Sequence, residues 1–339
     1  MSNSVELSVI IPVYGTEKYI DACLISALKA TEGLNAEIVV INDGTKDNAG
    51  VIAQRYETEN PGRIVYFEKE NGGLSDTKNY GLERARGEFV TFLDSDDYIE
   101  PDMYREMLEK ARDEQADCVV CDMVYDYEGK NETSYQRCKC GREEIYHSLI
   151  DTVLMASSCN KIMKKELLKG LTFPVGKNNE DIAVTPIAMG RSKNLAYVPK
   201  GFYHYVQRDG SIQNSSFSKK RFVILDVCEM TLERAKELPQ DRYEKLKGAL
   251  YVYQVLAIPF WRIRKEKFKA RYSLLKEYME RVDKLFPDFH DNEEIREYGT
   301  WGSTPAINVY RKISLWLNKH RMYFLLSVFW GAAKPFAKE

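Results

Sequence analysis

Three carboxylates stand together in the segment Asp94-Ser95-Asp96-Asp97, which follows a run of apolar residues. Carboxylates are costly to remove from water, and neighbouring carboxylates repel one another unless a cation lies among them. Hard oxygen ligands of this kind suit Mg²⁺ or Mn²⁺, typically with phosphate oxygens completing the coordination shell. The segment therefore predicts a site for a divalent metal and a diphosphate. The plainer interpretation is a turn and an acidic cap for the helix that Pro101 opens.

The residues around this segment alternate between strand-like and helix-like patterns. Short apolar runs predict strands at 7–12, 36–41, 64–67, 88–93 and 117–124. Apolar residues at helical spacing, or a first-turn proline, predict a helix after each of the first four strands. This alternation predicts an α/β fold with a mostly parallel sheet and helices on both faces.

Unusual polar residues follow the predicted strands. Tyr14 comes after the first strand, Asp43 after the second, residues 71–75 after the third and residues 94–97 after the fourth. Ligands sit at the carboxyl ends of parallel strands, so these residues predict one site at one edge of the sheet. The first strand is not followed by G-x-G-x-x-G, which disfavours a dinucleotide cofactor, and the absence of G-x-x-x-x-G-K-[ST] argues against a P-loop NTPase.

Composition narrows the class of protein further. The 339 residues are 44% hydrophobic and 29% charged, as expected for a globular protein, and the formal net charge of -2 gives no sign of a nucleic-acid partner. The seven Cys are not spaced as a disulfide scaffold, and Cys118 and Cys121 lie in a strand-like run. We therefore expect reduced, structural thiols in a cytoplasmic protein. The N-terminus lacks the pattern of a signal peptide.

The character of the chain changes after about residue 216. Long segments with helical spacing predict helices at 223–238, 243–263 and 267–285, the second of which Pro259 kinks or ends. We therefore expect two domains, residues 1–216 containing the sheet and residues 217–339 forming a helical region.

The last part of the chain has an unusual charge pattern. Residues 301–338 contain Lys and Arg but no Asp or Glu, and the apolar run 322–330 is too short to span a bilayer. A basic, aromatic-rich amphipathic segment suits the surface of an anionic membrane. The alternative is that this tail packs on the rest of the chain or in a dimer interface.

Beyond these separate patterns, the chain carries six segments in order: VIIPVY, VVINDGT, NGGLSDTKNYGLERARGEFVTFLDSDD, CNKIMKKELL, FPVGKNNEDIAV and FYHYVQRDGSI. As an ordered set covering roughly residues 6–214, they resemble the family 2 glycosyltransferases with the GT-A fold. The resemblance implies a GT-A nucleotide-sugar-binding domain, a divalent metal cofactor (Mn²⁺ or Mg²⁺) and transfer of a sugar to an acceptor.

The resemblance also implies roles for individual residues. The nucleotide side of the site would be formed by Pro12, Val13, Tyr14, Asp43, Gly73, Leu74, Lys78, Asp94 and Ser95. Among these, Asp43 would accept a hydrogen bond from a base N–H, which uracil, thymine and guanine all offer. Lys78 stands where the family usually has Arg, and Lys cannot make the forked contact of Arg. Asp96 would bind the metal, which neutralises the leaving nucleoside diphosphate.

Asp181 resembles the general base of the family, the carboxylate that takes the proton of the attacking acceptor hydroxyl. Taken alone, Glu180-Asp181 would be a helix N-terminus with favourable charges. Arg208 and Ser211 match a segment that closes on the diphosphate, for which the planar fork of Arg is suited.

Two further matches have structural alternatives. His204 could be a third metal ligand, but a structural His with satisfied hydrogen bonds is the preferred interpretation. Asn160 and Lys161 match an N-K pair of the family that serves the acceptor side or the structure.

These expectations describe a metal-assisted, inverting hexosyl- or N-acetylhexosaminyltransferase that uses a UDP-sugar. It would act in the cytoplasm or at the inner face of the cell membrane, on a glycan or lipid-linked glycan of a cell-surface polysaccharide. Two alternatives stay open. A sugar-1-phosphate nucleotidyltransferase would need a first loop rich in Gly and basic residues, unlike PVYGTEKY. A non-catalytic nucleotide-sugar-binding subunit would not need the intact carboxylates.

Overall fold

The computed structural model describes residues 4–128, 133–136, 156–207, 222–251, 263, 266–287 and 305–332. The chain divides into two compact units, Met1–Gln213 and Asn214–Glu339. Each unit has buried apolar side chains of its own.

The first half of the first unit alternates strand and helix, as predicted. The strands are β1 (Leu7–Val13), β2 (Ala36–Asn42), β3 (Ile64–Glu68) and β4 (Phe89–Phe92), and the helices between them are α1 (Ile20–Ala30), α2 (Ala49–Glu59) and α3 (Leu74–Arg84). The strands pair in parallel in the order β3-β2-β1-β4. Every residue of β1 is buried, which explains why all of them except Ser8 are apolar.

The second half of this unit completes the sheet with shorter and less regular elements. They are β5 (Tyr98–Ile99), α4 (Met103–Glu114), β6 (Cys118–Tyr127), β7 (Thr133–Gln136), β8 (Lys161–Lys164), α5 (Thr185–Arg191) and β9 (Leu195–Gln207), with 3₁₀ helices at Lys165–Leu168 and Glu180–Ala183. From β4 the sheet continues in the order β8-β6-β9-β5, and β7 pairs with β6.

This half adds short antiparallel pairs to the predicted, mostly parallel sheet. Strand β8 runs antiparallel to both of its neighbours, and β5 and β7 also pair antiparallel, whereas β6 and β9 are parallel. Antiparallel strands need no helical crossover and no long apolar run. The four-residue β8, with a lysine at each end, therefore lacks the signal by which the first strands are recognised.

The second unit is helical in its described residues. It contains α6 (Val223–Ala235), α7 (Gln240–Ala249), α8 (Phe268–Leu285), α9 (Pro305–Lys319) and α10 (Tyr323–Ala332). The predicted helical character of this region is confirmed, although Pro259 lies outside the described residues. Among the helices described, none is long and apolar enough to cross a membrane.

Candidate active site

Hydrogen bonds tie the loops that follow β1, β2 and β4 into one edge of the sheet. The Gly15 N–H donates to Thr45 Oγ1 at 2.8 Å, and the Asp43 N–H donates to the Val13 carbonyl at 3.0 Å. The Thr16 hydroxyl donates to Ser95 Oγ at 3.0 Å. The predicted site residues on these loops are therefore brought together, because parallel strands end at the same edge.

Asp43 is buried at the end of β2, where its carboxylate organises the loop that follows β3. Its Oδ1 accepts from Lys69 Nζ at 2.6 Å and from the Gly72 N–H at 2.9 Å, and its Oδ2 accepts from the Gly73 N–H at 2.8 Å and from Asn71 Nδ2 at 3.1 Å. Burial alone would raise the pKa of Asp43, but the hydrogen bonds from Lys69, Gly72 and Gly73 hold it below its ordinary value. Its contact with a base stays a prediction.

The other residues predicted for the nucleotide side differ in exposure. Pro12 and Val13 are buried within β1, whereas Tyr14 and Leu74 are 50% and 43% exposed. Gly73 has a φ of 84°, which favours glycine, at the residue that precedes α3. Tyr14 and Leu74 thus offer apolar surface to a ligand, and Pro12 and Val13 can offer only backbone.

Asp94 brings an unsatisfied carboxylate oxygen to this edge. Its Oδ1 is buried, and no group in the described part of the chain donates a hydrogen bond to it. Burial raises the pKa of Asp94 to about 6, with further contributions from Asp96 and Asp181, although the charge of Lys78 opposes the rise. A divalent cation would satisfy the oxygen and offset the crowded negative charge, so the residues present fit a metal.

The protein groups do not complete a metal shell by themselves. Among the residues that the structure describes, no group of three or more His, Cys, Asp or Glu side chains could hold a metal. A cation held by Asp94 and Asp96 would therefore need further oxygen ligands, such as those of a bound diphosphate or of water.

Asp97 and Ser95 support the segment from within. Asp97 is buried and accepts hydrogen bonds from the Tyr203 hydroxyl and, at 2.8 Å, from the Val206 N–H. Ser95 is also buried and bonds to Thr16. These contacts fix the acidic segment to β9 and to the loop after β1, a role that the residue types alone did not distinguish from metal binding.

Lys78 lies on the buried side of α3, and only 1% of its side chain is exposed. Its Nζ lies 2.7 Å from Asp181 Oδ1 and 2.9 Å from Glu180 Oε1. The ring centroids of Phe92 and Phe173 lie 5.8 and 5.3 Å from the same atom. Burial alone would lower the pKa of Lys78, but Asp181 and Glu180 raise it well above its ordinary value, so the ammonium stays protonated.

Asp181 is held from two directions and still reaches solvent. It lies in the 3₁₀ helix Glu180–Ala183, which starts directly after Asn179, a residue with a φ of 63°. Its Oδ1 accepts from the Ser158 hydroxyl at 3.1 Å, and its Oδ2 from the Ser158 N–H at 3.2 Å. One fifth of the side chain, 20%, is exposed. The carboxylate is thus oriented and accessible, as a general base must be.

His204 has a carboxylate at each ring nitrogen. Nδ1 lies 2.8 Å from Asp126 Oδ2, Nε2 lies 2.9 Å from Glu100 Oε1, and the ring stacks on Tyr98 at 4.4 Å. This is the satisfied, structural His that the sequence favoured over a metal ligand.

The remaining candidates are structural or lie outside the described residues. Cys118 and Cys121 are free, buried thiols of β6, and burial raises the pKa of each to about 12, so both are inert. Asn160 Nδ2 donates to the Cys121 carbonyl at 2.7 Å, which joins β8 to β6. Arg208 and Ser211 lie outside the residues that the structure describes.

Comparison with protein families and curated proteins gives concordant matches. Residues 8–172 match the family model for glycosyl transferase family 2. The glycosyltransferase GlyA of Streptococcus pneumoniae is 34% identical over 237 residues, which is 65% of this chain and 33% of that protein. The putative glycosyltransferase EpsH of Bacillus subtilis is 34% identical over 212 residues, which is 59% of this chain and 60% of that protein. The chain thus spans 33% and 60% of the lengths of these relatives.

Solved structures share the fold. S. aureus TarS 1-349, solved in complex with UDP-GlcNAc, superposes with a TM-score of 0.70 at 20% identity, covering 96% of this chain and 90% of that one. The mannosyltransferase PcManGT of Pyrobaculum calidifontis, solved with GDP-Man and Mn²⁺, gives a TM-score of 0.54 at 16% identity, covering 96% and 84%. Together with the family match, these likenesses confirm the predicted GT-A fold.

Proposed function

We propose that this protein, whose residues 8–172 match the family model for glycosyl transferase family 2, is an inverting glycosyltransferase that takes its sugar from a nucleotide-sugar. The observation that carries the proposal is the meeting of two kinds of carboxylate at one edge of the sheet. Asp94, whose Oδ1 is buried and unsatisfied, and the oriented, accessible Asp181 both lie within electrostatic reach of the Lys78 ammonium. The Asp94 carboxylate suits a diphosphate with its cation, and the Asp181 carboxylate suits an acceptor hydroxyl.

The proposed reaction is a single displacement at the anomeric carbon of the donor sugar. The acceptor hydroxyl oxygen forms a bond to that carbon as the bond from the carbon to the diphosphate oxygen breaks. The electron pair of the broken bond leaves with the nucleoside diphosphate, and the hydroxyl proton passes to the Asp181 carboxylate. The displacement inverts the anomeric configuration, and its transition state has oxocarbenium character.

The proposed cofactor is Mn²⁺ or Mg²⁺, held by Asp96 with Asp94 alongside it. When bound, the metal supplies Lewis-acid stabilisation of the negative charge on the leaving diphosphate. The unsatisfied oxygen of Asp94 supports the assignment. Asp43, Tyr14 and Leu74 would bind the nucleoside.

The proposed donor is a UDP-sugar. TarS was solved with UDP-GlcNAc and PcManGT with GDP-Man, so proteins with this fold take either base. The choice of UDP follows TarS, which has the higher TM-score of the two, and the proposal extends to a hexose or N-acetylhexosamine as the sugar.

The proposed acceptor is a glycan or lipid-linked glycan of a cell-surface polysaccharide, reached from the cytoplasmic side of the membrane. An apolar tail face, defined as Val309, Ile313 and Trp316, supports a membrane contact. These residues repeat at helical spacing along α9, and their exposure runs from 38% for Ile313 to 56% for Val309. Lys312 and Lys319, exposed on the same helix, complement anionic lipid headgroups.

A donor panel tests the proposed function. The purified full chain is incubated with UDP-, GDP- and dTDP-sugars with Mn²⁺, and the free nucleoside diphosphate is quantified. We expect release from a UDP-sugar, and loss of this release when EDTA removes the metal. Binding of UDP without release from any donor, with a glycan acceptor present, would favour the non-catalytic subunit. Formation of UDP-sugar from UTP and a sugar 1-phosphate would favour the nucleotidyltransferase.

A further inference from the structure

The ammonium of Lys78 faces the acid pair of the site and not open solvent. The sequence placed Lys78 beside the base and ribose of the donor, yet 1% of its side chain is exposed. Its Nζ lies 2.7 Å from Asp181 Oδ1 and 2.9 Å from Glu180 Oε1. A cation with two carboxylates at this distance has little capacity left for a phosphate or a ribose.

The surroundings of Lys78 fix its position. Phe92 ends β4, two residues before Asp94, and Phe173 precedes the segment that leads to Asp181. Their rings lie 5.8 and 5.3 Å from Nζ, within the range of cation–π attraction. Asn79 holds Phe173 in turn, donating to its carbonyl at 2.9 Å and accepting from its N–H at 2.8 Å.

We propose that Lys78 is a positioning residue that, with Ser158, orients the Asp181 carboxylate for proton transfer from the acceptor. This inference rests on the proposed function. Oδ1 receives the Lys78 ammonium and the Ser158 hydroxyl, and Oδ2 receives only the Ser158 N–H among the hydrogen bonds described. Since a carboxylate oxygen can accept two hydrogen bonds, Oδ2 keeps a lone pair for the incoming proton.

The replacement of the usual family Arg by Lys fits this role. Lys is a compact point charge on a flexible stem, whereas the planar fork of Arg is suited to bidentate phosphate contacts. A point charge can sit between two carboxylates and two aromatic rings in a buried space. A side-chain cation that contacts the diphosphate would then have to come from elsewhere in the chain.

Steady-state kinetics and nucleotide binding separate a positioning role from a donor contact. Turnover of a UDP-sugar and the Kd for UDP are measured for wild type, K78M, K78R and S158A, with the exposed K29M as control. We expect K78M to lower kcat about 100-fold and S158A about 10-fold, with KM for the donor and Kd for UDP changed less than about twofold. K78R, which keeps the cation, should recover part of the loss, and K29M should behave as wild type.

The inference would be overturned if K78M changed nucleotide binding instead of turnover. If K78M raised the Kd for UDP about tenfold and left kcat unchanged at saturating donor, Lys78 would be a donor contact. If K78M did not fold, S158A would provide the test, because the Ser158 hydroxyl and the Lys78 ammonium both donate to Asp181 Oδ1. An unchanged kcat in S158A would then contradict the inference. A wild-type protein without turnover would contradict the proposed function, whereas an active wild type with equally active K78M would contradict only the role of Lys78.

Discussion

Asp43 and Asp76 both bind the ammonium of Lys69, but at different depths in the protein. Lys69 Nζ lies 2.6 Å from Asp43 Oδ1 and 2.7 Å from Asp76 Oδ2, yet the Asp43 side chain is 3% exposed and that of Asp76 is 40% exposed. Asp43 also accepts the N–H groups of Gly72 and Gly73. The ion pair of Lys69 with the buried Asp43 should therefore contribute more to the stability of the fold than its ion pair with the exposed Asp76.

We predict that D43N destabilises the protein by about 2 to 4 kcal/mol, because it removes a buried charge from a paired cation and from two N–H donors. D76N, the matched control, should change stability by less than about 0.5 kcal/mol. Denaturant unfolding at pH 7 measures both, and UDP binding should weaken only in D43N. Equal effects of D43N and D76N on the free energy of unfolding would contradict the stabilising role assigned to Asp43.

The same pair has a defined pH dependence. The folded-state pKa of Asp43 is lowered, so its contribution is fully present above the ordinary aspartate pKa of about 3.9 and is lost as the pH falls through the lower folded value. The difference in stability between wild type and D43N should therefore shrink in this acidic range. If the difference in stability between wild type and D43N stayed constant as the pH fell, the lowered pKa of Asp43 would be contradicted.

Residue types and their order predicted that the loops after β1, β2 and β4 meet at one edge of the sheet, and hydrogen bonds between these loops show that they do. Asp94 directly follows a predicted strand, and Asp181 lies in the segment FPVGKNNEDIAV, which resembles the family. The partners of a buried charge carry no comparable signal. Nothing in the sequence indicates that Lys78 would turn to Asp181, or that Lys69 would reach back to Asp43, since both pairings depend on tertiary packing across more than 20 residues.

At the scale of elements, the long, buried strands could be predicted from the sequence and the short strands could not. β1 and β2 are buried along nearly their whole length, and most of their residues are apolar. β5 has two residues and β8 has four, and both pair antiparallel, so neither has enough length for a pattern. The mixed half of the sheet is therefore visible only in the structure.

The element that carries Asp181 shows the same limit. Its acids suggested the first turn of a helix, and the structure has a 3₁₀ helix of four residues, Glu180–Ala183. A 3₁₀ turn of this length has no periodicity to detect. The expected acidic helix start is thus right in kind, while the orientation of Asp181 comes from Lys78 and Ser158, which lie on other parts of the chain.

For the whole molecule, the apolar tail face gives a testable membrane prediction. We predict that the full chain sediments with vesicles containing anionic lipid, and binds less to zwitterionic vesicles, because Lys312 and Lys319 accompany exposed apolar residues. I313S/W316S should reduce vesicle binding about tenfold or more, because each substitution removes apolar surface that the lipid would bury.

The control for this prediction is I25S/V51S, which changes two exposed apolar residues on α1 and α2. It should bind vesicles as the wild type does. Absence of sedimentation together with a dimer in solution that I313S/W316S dissociates would contradict the membrane assignment and indicate a protein interface.

The proposed reaction depends most directly on Asp181 as the general base. The measurement that tests it is donor turnover and UDP binding on the same preparations of wild type, D181N and the exposed control D113N. We predict that D181N loses turnover by about 100-fold or more, because Asn cannot accept the proton, while its Kd for UDP changes less than about twofold and D113N matches wild type. Full turnover in D181N would contradict the assigned mechanism.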